Sequence, residues 1–211
     1  MTGGSTPSIS SRKHPRQARS EQLVSDILTA AAQVLARDGA HRFTTARVAE
    51  KAGVSIGSLY QYFPNKAAIL FRLQKEEWAE TGGMLRDILE DRTLAPLARL
   101  RAMVHAFVRS EREEAALRLA LSDAAPLYRH APEAKEPRVA GTRAMAFFLE
   151  EALPELAVER RVVASEIIIG TLSAMGKRLS EQEFDESGLA ARAEAVADML
   201  CAYLARLAEE K

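Results

Sequence analysis

Between Leu23 and Phe63 the apolar residues recur at three- and four-residue spacing in three short runs, each closed by residues that punctuate helices. The first run, Leu23, Val24, Ile27, Leu28, Ala31, Val34 and Leu35, stops at Arg37-Asp38-Gly39, where glycine suits the left-handed position after a helix. Phe43-Thr44-Thr45 offers a threonine cap for a second helix from about Ala46 to Ala52. Gly53-Val54 reads as a tight turn, and Ser55 can cap a third helix through Phe63. Pro64 disfavours helical geometry at Phe63, and Asn65 can cap a fourth helix from Lys66. Val48, Ala49, Val54, Leu59 and Phe63 can close a small core with the first helix, while Ala52 and Gly53 permit close approach. These are helix-turn-helix proportions.

From Lys66 onward the helical runs lengthen. Ile69, Leu70, Leu73, Trp78, Met84, Leu85, Ile88 and Leu89 mark helix 4, with a possible weak point at Gly82-Gly83. A stripe of Leu97, Leu100, Met103, Val104, Phe107 and Val108 follows Pro96, and a short helix spans Leu117 to Leu127. Tyr128 to Pro137 reads as a long loop, and Val139 to Leu153 resumes helix. Val162 to Leu179 is apolar on nearly every face, which predicts burial on more than one side. Glu181 to Gly188 reads as an acidic loop before a last helix with Leu189, Ala193, Val196, Leu200, Leu204 and Leu207 on one face. No strand pattern or internal repeat is visible, so the expected fold class is all-α.

Composition supports this. Aromatics make up 6% of the 211 residues, while good helix formers dominate. The single cysteine, Cys201, excludes an internal disulfide framework and any cysteine-based zinc site. His14, His41, His105 and His130 lack metal-ligand spacing, so no metal and no cofactor are expected. The Glu181, Glu183, Asp185, Glu186 group lacks calcium-loop spacing. The longest apolar run, Ile167 to Met175, is too short for a membrane span, and Met1-Thr-Gly-Gly-Ser-Thr-Pro has no apolar signal core. A cytoplasmic chain is the expectation.

Charge is zero overall, with 29 basic and 29 acidic residues, but it is unevenly placed. Residues 1–70 carry nine Lys/Arg against four acids, and the remainder carries the compensating acidic excess. A basic first third on an acidic body fits a polyanion partner, with chance patchiness as the other reading. The Ser-, Gly-, Pro- and Arg-rich start, residues 1–20, reads as a disordered arm. Its Arg12, Lys13, Arg16 and Arg19 could enter a minor groove or stay solvated.

The third helix leaves Ile56, Gly57, Ser58, Tyr60, Gln61 and Tyr62 for its outer faces. Small residues at its start allow approach to base edges, and hydroxyls can donate to phosphates. A plain helical hairpin with inward tyrosines is the alternative. The stretch Phe43-Thr44-Thr45-Ala-Arg47-Val48-Ala49-Glu-Lys-Ala52-Gly53-Val54-Ser55-Ile56-Gly57-Ser58-Leu59-Tyr60-Gln61-Tyr62-Phe63-Pro64-Asn65-Lys66 closely resembles the DNA-binding segment of the tetracycline-repressor (TetR) family. The resemblance covers Leu23 to Leu73, about a quarter of the chain.

That resemblance implies a homodimeric transcription regulator, most often a repressor, that binds a palindromic operator and leaves it when a small molecule binds the C-terminal domain. It further implies phosphate contacts at Thr45, Ser55, Ser58, Tyr60, Tyr62 and Lys66, and base-facing positions at Ile56, Gly57 and Gln61. Because Ile56 and Gly57 cannot hydrogen-bond bases through side chains, readout would lean on Arg47, Gln61 and DNA shape. Thr44 could cap helix 2 or touch DNA.

The expected organisation is therefore the arm (1–20), a helix-turn-helix DNA-binding domain (21–65), and a ligand-binding and dimerising domain (66–211). Effector residues are expected among Met103, Phe107, Leu121, Tyr128, Met145 and Phe148, since methionines and aromatics suit an adaptable apolar site. Ordinary core packing is the other reading of that stripe. Surplus apolar residues on the last two helices predict a homodimer through a four-helix bundle. No nucleophile-base grouping or phosphate-binding glycine loop marks an enzyme, and a helical carrier of hydrophobic molecules would leave the basic end unexplained.

Overall fold

The computed structural model describes residues 18–131, 133, 139–182 and 184–209. Most of the expected basic arm, with Arg12, Lys13 and Arg16, lies outside the described residues, as do His14, Glu183 and the side chain of Arg19. The last three arm positions, Ala18 to Ser20, instead begin the first helix. Every regular element among the described residues is helical: α1 (Ala18–Arg42), α2 (Thr45–Lys51), α3 (Ile56–Tyr62), α4 (Lys66–Glu90), α5 (Pro96–Glu113), α6 (Ala115–Ala124), α7 (Val139–Ala152), α8 (Val158–Glu181) and α9 (Glu186–Ala208). A single 3-10 turn, Ala125–Leu127, follows α6.

Local chemistry sets the boundaries at the N-terminal end. Gly39 has φ 73°, a left-handed conformation that interrupts α1 where the sequence predicts its end. Thr44 caps α2 by accepting from the Arg47 N–H at 3.3 Å, and Ser55 caps α3 by accepting from the Ser58 N–H at 3.0 Å. Asn65 Oδ1 accepts from the Ala68 N–H at 2.9 Å at the start of α4. Between α2 and α3, Gly53 is left-handed at φ 67°. Its N–H reaches the Glu50 carbonyl and the Val54 N–H reaches that of Ala49, a paired closure that satisfies two otherwise orphaned carbonyls. Phe63 is extended ahead of Pro64. At Gly82-Gly83 the helix continues unbroken, because packing and neighbouring helix formers outweigh the local propensity cost.

Packing divides the chain into two units, residues 1–77 with 116–137, and residues 78–115 with 138–211. The expected boundary at residues 65 and 66 coincides with the start of α4, whereas the division of packing falls within that helix, after Glu77. The 116–137 segment, expected within the C-terminal domain, packs with the first unit.

In the first unit Ile27, Ala31, Val34 and Leu35 of α1 meet Val48 and Ala49 of α2, Leu59, Tyr62 and Phe63, and Ile69 and Leu70 of α4. Leu121, Ala124 and Tyr128 complete this core. The Arg118–Glu77 ion pair at 3.0 Å ties α6 to α4 with both side chains largely shielded from water.

The second unit has its own core, from Leu89 through Leu100, Met103, Val104 and Phe107 to Met145, Phe148, Leu149, Ile168, Leu172, Val196, Leu200 and Leu204. Only one side of α8 is covered there. Ala164, Ile168 and Leu172 are buried, whereas Val158, Val162, Val163 and Ile167 are each at least half exposed in the single chain. Burial of α8 on several sides, as its composition predicts, is therefore not reached within the single chain.

Candidate nucleic-acid interface

The two sides of α3 have different chemistry. Leu59, Tyr62 and Phe63, spaced i, i+3 and i+4, face the core. Ile56, Gly57, Tyr60 and Gln61 are exposed, with Ile56 at 42% and Tyr60 at 39%. Ile56 and Tyr60 are the large hydrophobic side chains that α3 leaves to solvent.

Hydroxyls border the same surface. Thr45 Oγ1 at the start of α2 lies 3.1 Å from Tyr60 Oη on α3, and Ser55 Oγ lies 2.8 Å from Ser58 Oγ. Lys66, the first residue of α4, is exposed. None of α2, α3 or α4 has an acidic residue in its first turn.

Tyr62 does not occupy the exposed side of α3 expected from the sequence. It is 5% exposed and belongs to the core of the first unit. The seven-residue α3 has room for one inward face, and Leu59 and Phe63 place Tyr62 on it.

Arg47 is exposed in part but tethered. Its Nη1 donates to Asp38 Oδ2 at 3.3 Å and to the Arg42 carbonyl at 3.2 Å. Asp38 also accepts from Arg37 at 2.8 and 3.0 Å, and this hydrogen bond holds its carboxyl below the usual range. Asp38 was not marked by the sequence reading. A helix-terminal acid beside three arginines is the signal that could have found it.

The six expected effector residues fall into two groups. Met103, Phe107, Met145 and Phe148 share the core of the second unit. Leu121 and Tyr128 belong to the first. The Tyr128 ring packs on Phe71 with centroids 5.8 Å apart, and its hydroxyl lies 3.2 Å from both Gln74 Oε1 and the Leu121 carbonyl. The structure therefore does not gather the six around one centre, because α6 carries its residues into the other core.

At the second core, α5 places Arg99, Met103, Phe107 and Glu111 along one stripe at four-residue spacing, all buried. Arg99 is 2% exposed. It donates from Nη1 to the Leu89 carbonyl at 2.8 Å and from Nη2 to Glu151 Oε1 at 2.6 Å. Its guanidinium lies 5.4 Å from the centre of the Phe148 ring. Arg99 Nε and Ser165 Oγ are buried without a hydrogen-bond partner among the described residues. Such a donor costs about 1–3 kcal/mol.

Farther along, α8 approaches α5 through Gly176, where a Cβ would fall 2.8 Å from Phe107 Cζ and Glu111 Cδ. On the surface of this unit, Arg101 pairs with Glu194 and Asp198, and His105 Nε2 lies 2.9 Å from Glu194 Oε2. His105 is thus a hydrogen-bonded surface residue. No cluster of metal-ligating side chains occurs among the described residues.

A family model described as the tetracyclin repressor-like C-terminal domain matches residues 95–207. A second, described as bacterial regulatory proteins of the tetR family, matches residues 27–73. The chain belongs to the TetR family. Its all-α architecture, with an N-terminal helix-turn-helix unit and a helical C-terminal unit, is that of the family.

Among relatives, the chain is 33% identical over 69 residues to the fatty acid metabolism regulator protein of Bacillus subtilis (strain 168), covering 33% of this chain and 36% of that one. The match thus spans about a third of that relative's length. The fold is shared with a TetR-family transcriptional regulator from Mesorhizobium loti at TM-score 0.73, with 14% identity and coverage of 89% of this chain and 98% of the other. It is shared also with the regulator FadR from Bacillus subtilis in complex with stearoyl-CoA, at TM-score 0.60 and 19% identity, covering 84% and 97% of the two chains.

Within this TetR-family chain the helix-turn-helix lies inside the matched residues 27–73, and the Arg99 to Glu111 stripe lies inside 95–207. Sequence reasoning passed over Arg99. Its place one turn before Met103 on the inward stripe was the available signal.

Proposed function

We propose that this protein is a dimeric, effector-responsive transcription regulator, most simply a repressor, that grips a palindromic operator through α3 of each protomer. One observation carries this reading: α3 buries Leu59, Tyr62 and Phe63 while holding Ile56, Gly57, Tyr60 and Gln61 outward. In it, Ile56, Gly57 and Gln61 face base edges in the major groove. Thr45, Ser55, Ser58, Tyr60 and Lys66 contact phosphates and set the register. Arg47, released from or shared with Asp38, reaches the flanking backbone. Tyr62 supports α3 from inside.

The uncovered apolar residues of α8, together with Met199 of α9, form the homodimer interface in this reading. Two-fold symmetry then sets two recognition helices about one DNA turn apart, roughly 34 Å. A small apolar effector binds in the C-terminal unit, at Met103, Phe107, Met145 and Phe148. That the similar FadR was determined with stearoyl-CoA supports an effector with an apolar chain. Catalysis has no part in this account, and the protein works in the cytoplasm, where its DNA is. No helix among the described residues is long and apolar enough to cross a membrane.

Binding to duplex DNA from the region upstream of its own gene, measured by gel shift against unrelated duplex, tests the reading. Preferential binding at moderate salt is expected. Equal and negligible binding to both would contradict it and favour a helical carrier.

A further inference from the structure

We propose that Arg99 is the polar anchor of the effector site, donating its Nε–H to a neutral carbonyl oxygen on an otherwise apolar ligand. The inference rests on the effector reading above and specifies its chemistry. Both terminal nitrogens of this guanidinium have an acceptor, the Leu89 carbonyl on Nη1 and Glu151 on Nη2, and the Phe148 ring lies 5.4 Å from its central carbon. Among its nitrogens Nε is the one without any acceptor among the described residues, on a residue 2% exposed. Glu151 does not turn to supply one, because its other oxygen accepts from Arg92 Nε at 3.1 Å.

The sign of the missing partner follows from this arrangement. The Arg99 charge is already balanced by a carboxylate 2.6 Å away. A ligand anion brought to Nε would approach that carboxylate, which is 36% exposed, and be repelled by it to the extent that solvent does not screen the pair. A neutral acceptor meets no such penalty. Ester, thioester, amide and ketone carbonyls all have the required oxygen.

The surroundings fit a ligand whose remainder is hydrocarbon. Met103 and Phe107 continue the Arg99 stripe along α5, and Met145 and Phe148 of α7 belong to the same core. Unbranched methionines repack readily around an inserted chain. From Arg99 to Phe107 the helix rises about 12 Å, a span that a medium-length alkyl chain covers. Beyond it the stripe is closed at Gly176, whose backbone lies against Phe107 and Glu111.

The test compares three probes of equal carbon number on the full chain: methyl heptyl ketone, n-nonane and nonanoate. Dissociation constants come from ligand-dependent shifts in melting temperature. The ketone should bind at least tenfold more tightly than nonane, about 1.4 kcal/mol, and more tightly than nonanoate. In Arg99→Met the ketone advantage should fall to within twofold. Arg99→Lys, which keeps a cation facing Glu151 but has no Nε–H, should reduce it similarly and serves if Arg99→Met fails to fold. Equal binding of ketone and nonane to the wild type would overturn the anchor and leave the effector site standing. So would an advantage that persists in folded Arg99 variants, or tightest binding by nonanoate. Binding of none of the three would remove the effector reading itself, and the anchor with it.

Discussion

The hydroxyls of Thr45 and Tyr60 lie 3.1 Å apart, joining the first residue of α2 to the outer face of α3. Both are at the surface, so the bond contributes little to stability; one hydroxyl donates to the other, and the accepting hydroxyl keeps its own O–H free. A phosphate beside α2 and α3 would take the one O–H that the pair leaves free. That geometry gives the first prediction. Tyr60→Phe should leave the far-ultraviolet circular dichroism unchanged and weaken operator binding by about 1 kcal/mol per half-site. Thr45→Val should do the same, and the double variant should lose less than the sum, because the two hydroxyls act as one pair. Full additivity in the binding cycle would show that they do not.

Tyr62 separates structure from recognition. Its ring is part of the first core, so Tyr62→Ala should destabilise the protein by about 3–5 kcal/mol in urea unfolding. Tyr62→Phe keeps the ring and should bind DNA with the wild-type salt dependence. A reduced salt slope for Tyr62→Phe would restore the phosphate contact implied by the family resemblance.

The uncovered face of α8 predicts assembly. Ile167 is 51% exposed in the single chain and lies beside Val163 on the same helix. Ile167→Glu should convert a dimer to a monomer in light scattering at micromolar concentration, with helicity retained. A wild type that is already monomeric at that concentration would contradict the proposed interface.

Glu151 sets an acid limit on the C-terminal unit. The hydrogen bond from Arg99, with the charges of Arg99 and Arg92, holds its carboxyl below the usual glutamate range. A carboxyl depressed in the folded state stabilises fully above its unfolded value of about 4.3, and that contribution disappears as pH falls through the lower folded value. Wild-type urea midpoints should therefore decline below about pH 4 with a Glu151 component that is missing in Glu151→Gln. Parallel pH profiles for the two proteins would show that the ion pair does not contribute.

The helix-turn-helix was legible in the sequence because its boundaries are set locally. Thr44, Ser55 and Asn65 each cap from within three residues, Gly53 needs its left-handed backbone, and Pro64 stops α3 whatever surrounds it. The all-α class followed from periodicity for the same reason. The burial of Tyr62 was also present in the pattern, since Leu59, Tyr62 and Phe63 share one face, but the family motif drew attention to its hydroxyl.

The assignment of α6 was different in kind. Periodicity in Leu117 to Leu127 gives an apolar face but does not say which core receives it. Packing places Leu121 and Tyr128 with Phe71 and Leu70 rather than with Met103 and Phe148. The Arg118–Glu77 pair and the Tyr128–Gln74 contact, 41 and 54 residues apart along the chain, are long-range contacts that local rules do not reach. Arg99 was hidden for a related reason: a charged residue on a helix is read as solvated until distant partners, the Leu89 carbonyl and Glu151, are seen.

The central claim is that α3 and the start of α4 face the DNA backbone, and Lys66 tests it most directly. A lysine in the first turn of a helix opposes the helix dipole, so its removal should leave stability unchanged or slightly raised. The measurement is binding of wild type and Lys66→Ala to a duplex across a salt series, with circular dichroism as the folding control. Each lost phosphate contact should reduce the slope of log K against log salt by about 0.9, or about 1.8 for a dimer on two half-sites, with base preference retained. Unchanged affinity and slope in Lys66→Ala would show that this end of α4 does not meet the backbone, and the proposed docking would be wrong.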